Sequence, residues 1–152
     1  MSDRTAILTG VTGGWGRAVL DRFLSQGWNV CATSRDATDD LPEGVLVVQA
    51  DLTDPASAER VVAACVERFG GVRALGCVAG GFKMSGPLHE SSPDDWRSQL
   101  AVNLDTAYTM TRAALRISLR WMRFWNSIRL TLTMRTSAKQ RLLHLLFALK
   151  PR

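Results

Sequence analysis

Short apolar runs alternate with longer stretches of helical spacing along the first 115 residues. Four runs read as buried strands, at residues 4–9, 28–33, 45–48 and 72–79. Each is bounded by glycine or by charged residues, and such continuous apolar runs are typical of parallel strands that are covered on both faces.

Three stretches between these runs have the pattern of amphipathic helices. The first spans residues 17–26, and Gly27 follows it where a helix would end. A second begins at Asp54-Pro55, carries its apolar residues on one side and ends at Gly70-Gly71. A third begins at residues 92–95, Ser-Pro-Asp-Asp, and is predicted to continue through Asn103 to about residue 115.

This alternation predicts an α/β fold. We expect a partial doubly wound, Rossmann-like parallel sheet of about four strands, with right-handed crossovers and helices on both faces. Ligands of such sheets bind beyond the carboxyl ends of the strands, where helix amides face an anion. Gly10 would allow the sharp exit from the first strand, Gly14 would let phosphates approach the backbone, and Gly16 would permit close packing of the helix.

The overall composition is that of a globular chain with one hydrophobic core. The charge and glycine content, however, differ sharply between two parts of the chain. The sequence has 152 residues, of which 46% are hydrophobic and 22% charged. Residues 1–115 hold ten Lys and Arg against fourteen acids, a net charge of −4, whereas residues 116–152 hold nine and no acid, a net charge of +9. All twelve glycines precede residue 116. We therefore predict a dinucleotide-binding domain over residues 1–115 and a basic, helical tail over 116–152.

Four motifs in the same order resemble the short-chain dehydrogenase/reductase family. Residues 9–18, T-G-V-T-G-G-W-G-R-A, match its T-G-x-x-x-G-x-G spacing. Asp51-Leu52 resembles its adenine contact, Ala79-Gly80 the end of its N-N-A-G strand, and residues 102–104 the segment that bears its structural and catalytic asparagine, here Asn103. The resemblance covers about residues 4–115.

The resemblance implies an oxidoreductase that moves a hydride between a nicotinamide dinucleotide, NADP or NAD, and a small carbonyl or alcohol. The cofactor-binding positions that it implies are Gly10, Thr12, Gly14, Trp15, Gly16, Arg35, Asp51, Leu52, Ala79 and Gly80. Asn103 is the one catalytic position that matches. Structural alternatives remain open: Trp15 could only cover the helix start, Asp51 could only cap a turn, and Asn103 could only cap or bend its helix.

Charge after the second strand favours NADP. A guanidinium at Arg35 can pair bidentately with a 2′-phosphate, whereas an acid at that place would select a free 2′-hydroxyl. Two alternatives stay open, because Asp36 could reach a ribose hydroxyl and Arg35 could be a solvated charge at the strand end.

The chain departs from the family where its chemistry is expected. Cys77 and Val78 replace two asparagines, which removes side-chain hydrogen bonds that would brace the sheet centre. The family's proton donor is a tyrosine with a lysine four residues later, helped by a serine. Here the only tyrosine is Tyr108, Arg112 follows it, and the serine-rich strand and Y-x-x-x-K are absent after residue 115. We therefore predict a truncated or frame-disrupted form that does not turn over.

The basic tail has its own pattern. Ile117, Trp121, Phe124 and Ile128 form one helical stripe, Arg116, Arg120 and Arg123 lie opposite, and residues 137–149 are a second candidate helix. Three explanations compete: a frame error or truncated gene product, a basic helix for a membrane or nucleic acid, and a cover for a bare sheet edge. We favour the first. The alternative function is a non-catalytic nucleotide-binding module whose tail contacts an acidic surface.

The sequence also carries expectations about location, the cysteines and assembly. No uninterrupted apolar run of spanning length and no signal-like start is present, so we expect a cytoplasmic protein. Cys31, Cys65 and Cys77 show no C-x-x-C pairing and are expected to be small core residues, not metal ligands or disulfides. The family often pairs through helices, including the one that holds Asn103, which leaves a homo-oligomer open.

Overall fold

The computed structural model describes residues 4–36, 40–82 and 86–120. Its strands are β1 (Thr5–Thr9), β2 (Asn29–Ser34), β3 (Leu46–Gln49) and β4 (Ala74–Cys77). Its α-helices are α1 (Gly14–Ser25), α2 (Pro55–Phe69), α3 (Pro93–Leu100) and α4 (Thr106–Arg120), with a 3₁₀ turn at Leu88–Glu90 and a π-helical turn at Ala101–Asp105.

The four strands form one parallel sheet in the order β3-β2-β1-β4. In its register, Thr9 lies opposite Thr33 of β2 and Cys77 of β4. The carboxyl ends of all four strands therefore lie at one edge of the sheet. This confirms the predicted α/β, partial doubly wound fold.

Helices cover both faces of the sheet because neighbouring strand residues point to opposite sides. Ala6 and Leu8 of β1 belong to a core with Leu20 of α1, whereas Ile7 and Cys31 belong to a core with α2 and α4. Leu20 is fully buried. A leucine side chain buried in this way stabilises a fold by about 1.5–3 kcal/mol.

Side-chain caps define where α2 and α3 begin. The Asp54 carboxylate accepts hydrogen bonds from the amides of Ala56 and Ser57. The Ser92 hydroxyl accepts from the Asp95 amide, and the Asp95 carboxylate accepts in return from the Ser92 amide, which is a capping box. Both helices also have proline in the first turn, as the sequence predicts.

The elements differ from the predicted bounds in two informative places. The fourth strand is confined to Ala74–Cys77, two residues shorter at each end than the apolar run 72–79. The helix predicted from residue 92 to about 115 is divided by the π-turn and continues to Arg120. Apolar periodicity does not mark either change, and no residue of α3 or of the π-turn is buried.

The proposed tail boundary falls inside α4. Ile117 packs against the core that α2 and α4 share, and the Arg116 guanidinium donates to the Glu59 carboxylate of α2 at 2.7 Å. Several predictions for the tail lie outside the described part of the chain. They are the apolar stripe beyond Ile117, the side chains of Arg120 and Arg123, and the candidate helix at 137–149.

Two further features bear on the expectations from sequence. Cys31, Cys65 and Cys77 are buried and form no disulfide. Across residues 4–36, 40–82 and 86–120, none of the helices has both the length and the apolar character needed to cross a bilayer.

Candidate functional site

A cleft of about 540 Å³ opens at the carboxyl edge of the sheet. The ends of all four strands, the start of α1 and the junction of α3 with the π-turn contribute to its lining. All ten residues that the sequence suggests for cofactor binding line this cleft: Gly10, Thr12, Gly14, Trp15, Gly16, Arg35, Asp51, Leu52, Ala79 and Gly80. The volume falls within the range of about 300–1,000 Å³ that is usual for small-molecule sites.

Gly10 brings the ends of β1 and β4 into direct contact. Its φ of +70° is left-handed, and a Cβ added to it would lie 2.6 Å from both the N and Cα of Ala79. The Gly10 carbonyl then accepts from the Gly13 amide at 3.2 Å, which closes the turn before α1. Only glycine fits this exit from the strand.

Gly16 is required by the loop itself. A Cβ at Gly16 would lie 1.9 Å from the Gly10 carbonyl oxygen and 2.7 Å from the Val11 Cα. The close packing predicted for this glycine is therefore against the turn that follows β1. It fixes the first turn of α1 directly over the strand exit.

Gly14 lies in a different environment. It is exposed, it begins α1, and a Cβ built on it would have no atom within 4 Å. The first amides of a helix have no partner within that helix, and the helix dipole favours an anion there. The first intrahelical bond here is donated by the Arg17 amide to the Gly13 carbonyl, at 2.9 Å. The start of α1 thus offers an open, anion-favouring backbone on the cleft.

Asp51 both lines the cleft and caps a turn. Its Oδ1 accepts from the Thr53 amide at 2.9 Å and from the Thr53 hydroxyl at 2.7 Å. These bonds hold the pKa of Asp51 below its usual range, and the positive charge of Arg35 contributes in the same direction. The structural alternative for Asp51 is therefore present, at a residue that also lies on the cleft.

Arg35 follows β2 directly, and its side chain is exposed. Its carbonyl accepts a hydrogen bond from Nε2 of Gln49 at 2.9 Å. Arg35 and Asp51 place opposite charges on the same side of the cleft, beside Thr33 and Ser34.

Asn103 lies outside the lining of the cleft and binds backbone groups. Its Oδ1 accepts from the Gly81 amide at 3.1 Å, and its Nδ2 donates to the carbonyls of Gly81 and Gln99 at 2.7 and 3.0 Å. It lies within the π-turn, at the place where the predicted helix is interrupted. Its side chain therefore joins that turn to the loop that follows β4.

Tyr108 lies on α4, and its side chain is 62% exposed. It is absent from the residues that line the cleft. Trp15 is also exposed, at 67%, but it does line the cleft.

Sequence reasoning missed two buried threonines that hold the site together. The Thr9 hydroxyl accepts from the amides of Val78 and Ala79 at 3.1 and 3.0 Å, which braces the sheet where the family's asparagines are missing. The Thr109 hydroxyl donates to the Leu52 carbonyl, which ties α4 to the segment after β3. A polar residue at the end of an apolar run was the available signal for Thr9.

A second group of missed residues forms another part of the cleft wall. These side chains come from α3, the π-turn and the start of α4, and they are Ser98, Ala101, Val102 and Thr106. Their positions follow from the docking of α4 on the sheet, for which no local motif exists.

Comparisons with known proteins agree with this architecture. The model of the short chain dehydrogenase family matches residues 4–122. The NADP-dependent 3-hydroxy acid dehydrogenase of Shigella flexneri is 30% identical over 115 residues, which cover 72% of this chain and 46% of that protein. The chain therefore spans about half the length of the curated relatives that it matches.

Two solved structures from Brucella melitensis give the same picture. A short-chain dehydrogenase/reductase described as a glucose/ribitol dehydrogenase has a TM-score of 0.66 at 33% identity, covering 76% of this chain and 52% of that one. A 3-ketoacyl-(acyl-carrier-protein) reductase complexed with NADH has a TM-score of 0.65 at 26% identity, covering 73% and 48%. With the glycine turn after β1 and the β3-β2-β1-β4 sheet, these matches show that the chain belongs to the short-chain dehydrogenase family.

Proposed function

We propose that the cleft binds a nicotinamide dinucleotide and prefers NADP to NAD. The observation that carries this proposal is the start of α1, where exposed Gly14 leaves the backbone open beside a helix N-terminus. A pyrophosphate there would meet backbone amides without a Cβ in the way. The residues present therefore fit the phosphate part of the cofactor.

The adenosine part would lie between the ends of β2 and β3. Arg35 would pair with the 2′-phosphate of NADP, and Asp51 with Leu52 would contact the adenine. The Arg35 guanidinium favours a ligand that brings negative charge to its side of the cleft. Support also comes from the relatives, since the Shigella flexneri enzyme is named as NADP-dependent and one Brucella melitensis structure holds NADH.

The preference for NADP rests on Arg35, and a competing contact lies next to it. Asp36 follows directly and would favour the free 2′-hydroxyl of NAD. The ratio of NADP to NAD affinity therefore reports which of the two side chains faces the ribose.

We also propose that residues 1–152 bind the cofactor without turning over. When bound, a nicotinamide dinucleotide supplies or accepts a hydride, and a protein acid or base must move the accompanying proton. Tyr108 is exposed on α4 and does not line the cleft, and it does not match the family's motif, because the residue four positions later is Arg112 and not lysine. Asn103, the remaining catalytic position of the family, is engaged by the backbone of Gly81 and Gln99. Reduction of a small carbonyl, or oxidation of an alcohol, is what intact relatives would perform.

The test is a calorimetric titration of purified residues 1–152 with NADPH and with NADH, followed by an absorbance assay of NADPH consumption with small carbonyl compounds. We expect uptake of both nucleotides, tighter binding of NADPH, and no consumption. Absence of any nucleotide uptake would overturn the binding proposal. Consumption that disappears in Asn103→Ala would overturn the proposed lack of turnover.

Charge favours one second candidate, a binding module with an acidic partner. Residues 116–152 carry a net charge of +9, whereas residues 1–115 carry −4. Of these basic residues, Arg116 already pairs with Glu59. Salt-dependent retention on vesicles of anionic phospholipid, lost on deletion of residues 121–152, would support this candidate. Equal retention on neutral vesicles would count against it.

A further inference from the structure

Gln49 connects two strands at the edge of the cleft. It is the last residue of β3, and in the register its Cα partner is Ser34, the last residue of β2. Its side chain reaches one residue further, where Nε2 donates to the Arg35 carbonyl at 2.9 Å. The bond therefore holds the backbone of the residue that carries the charge.

The position of Gln49 on β3 explains why its side chain makes this contact with the Arg35 carbonyl. Leu46 and Val48 of β3 pack against the core beneath α2, so Val47 and Gln49 point to the other face. The Ala50 amide donates to the Ser34 carbonyl at 2.9 Å, and the chain of β2 then continues beyond its strand. Gln49 thus extends the connection between the two strands by one residue, from the side of β3 that faces away from the core beneath α2.

The Arg35 side chain begins at this held backbone. Its charge is close enough to the Asp51 carboxylate to help lower the pKa of that group. A backbone that is already fixed loses less conformational freedom when its side chain binds a ligand. The benefit applies only to a ligand that Arg35 contacts.

We propose that Gln49 is a positioning residue for cofactor selectivity, because its amide fixes the backbone from which Arg35 would reach the 2′-phosphate of NADP. The inference rests on the proposed function and adds to it a residue that touches no ligand. The role of Gln49 predicts different effects on two cofactors that differ only in that phosphate. Removal of the Gln49 amide weakens binding of NADPH and leaves binding of NADH unchanged.

The experiment measures dissociation constants of NADPH and NADH by calorimetry for wild type, Gln49→Met, Val47→Ala and Arg35→Met, with thermal unfolding of each. Methionine keeps the length of the Gln49 side chain and removes its donor. Val47 lies on the same strand and the same face, so Val47→Ala controls for disturbance of the sheet edge. We expect Gln49→Met to lower the ratio of NADPH to NADH affinity about threefold, within the range of one hydrogen bond. Val47→Ala should leave this ratio unchanged. Arg35→Met should abolish the preference for NADPH.

The outcomes separate this inference from the proposed function. Equal weakening of both nucleotides by Gln49→Met shows a purely structural role and overturns the inference. Loss of selectivity in Arg35→Met with no change of the ratio in Gln49→Met overturns the inference and leaves the proposed function standing. If wild type binds neither nucleotide, both fail.

Discussion

Asn103 binds both backbone groups of Gly81, although the two residues lie 22 positions apart. The amide oxygen accepts at 3.1 Å and the amide nitrogen donates at 2.7 Å. One side chain thus makes the pair of hydrogen bonds that a neighbouring strand would make with the loop after β4. The same nitrogen donates to the Gln99 carbonyl one turn earlier on the helix. Asn103, at the position that resembles the family's catalytic asparagine, therefore links the π-turn to the loop after β4.

We expect Asn103→Ala to lower the free energy of unfolding by about 1–3 kcal/mol, because three hydrogen bonds to backbone groups are lost and only partly replaced by water. Urea denaturation measures the change. Tyr108→Ala, which truncates a 62% exposed side chain on the following helix, is the matched control and should change stability much less. Equal losses in the two variants would show that the Gly81 link contributes nothing beyond general helix packing.

Thr9 provides the second long-range link. Its side chain accepts from the amides of Val78 and Ala79, and the residue is 1% exposed. Thr9→Val keeps the shape but leaves both amides without this acceptor, so we expect a loss of about 1–3 kcal/mol for each amide that water cannot reach. Thr5→Val, at the other end of the same buried strand, controls for the change of side-chain type. A Thr9→Val protein as stable as wild type would show that the amides find another acceptor.

The sequence predicts the order of the elements, the glycine turn and the grouping of Gly10, Arg35 and Asp51, because parallel strands present their carboxyl ends at one edge. It does not predict the links that hold this edge. Thr9 and Ala79 are 70 residues apart, and Thr109 and Leu52 are 57 apart. No local period encodes a partner at that separation. The wall formed by Ser98, Val102 and Thr106 was missed for the same reason, since it depends on the docking angle of a helix.

The cap of α2 gives a pH dependence with a defined sign. Hydrogen bonds from the Ser57 hydroxyl and from the amides of Ala56 and Ser57 hold the pKa of Asp54 below its usual range. A depressed pKa in the folded state gives stability that is fully present above the unfolded value, about 3.9, and is lost as the pH falls through the folded value. Asp54→Asn removes this titration. Its melting temperature should lie below that of wild type at neutral pH, and the gap should narrow as the pH falls below about 3.9.

Thermal unfolding at constant ionic strength, from neutral to acid pH, measures that gap. Asn is itself a good N-cap, so the variant should fold across the series. A gap that stays constant down to the lowest pH would show that the Asp54 charge adds nothing to its role as a hydrogen-bond acceptor.

The three cysteines should be chemically inert in the folded protein. The hydrogen bond with Cys65 and burial raise the pKa of the Cys31 thiol, and Cys77 is only 5% exposed. Reaction with dithionitrobenzoate requires a thiolate that the reagent can reach. We expect no rapid labelling of native protein and three thiols per chain in denaturant. Rapid release of one equivalent from native protein would locate an opening near one of these residues.

Gly16 and Gly14 allow the requirements of folding and of nucleotide binding to be tested separately. A Cβ at Gly16 meets the backbone of Gly10 and Val11, which no side-chain movement can relieve. Gly16→Ala should therefore cost several kcal/mol, on the order of 4 kcal/mol, and reduce the yield of folded protein. Gly14→Ala meets no atom within 4 Å and places alanine in a helix, so its melting temperature should match or exceed that of wild type.

Nucleotide binding should respond in the opposite way. If phosphates approach the backbone at Gly14, the added methyl group occupies their space, and we expect Gly14→Ala to weaken NADPH binding at least tenfold, about 1.4 kcal/mol, in a protein that is fully folded. Calorimetry and thermal unfolding on the same sample provide both readings. Wild-type affinity in folded Gly14→Ala would move the phosphates away from the start of α1, and with them the part of the proposed function that depends on this helix.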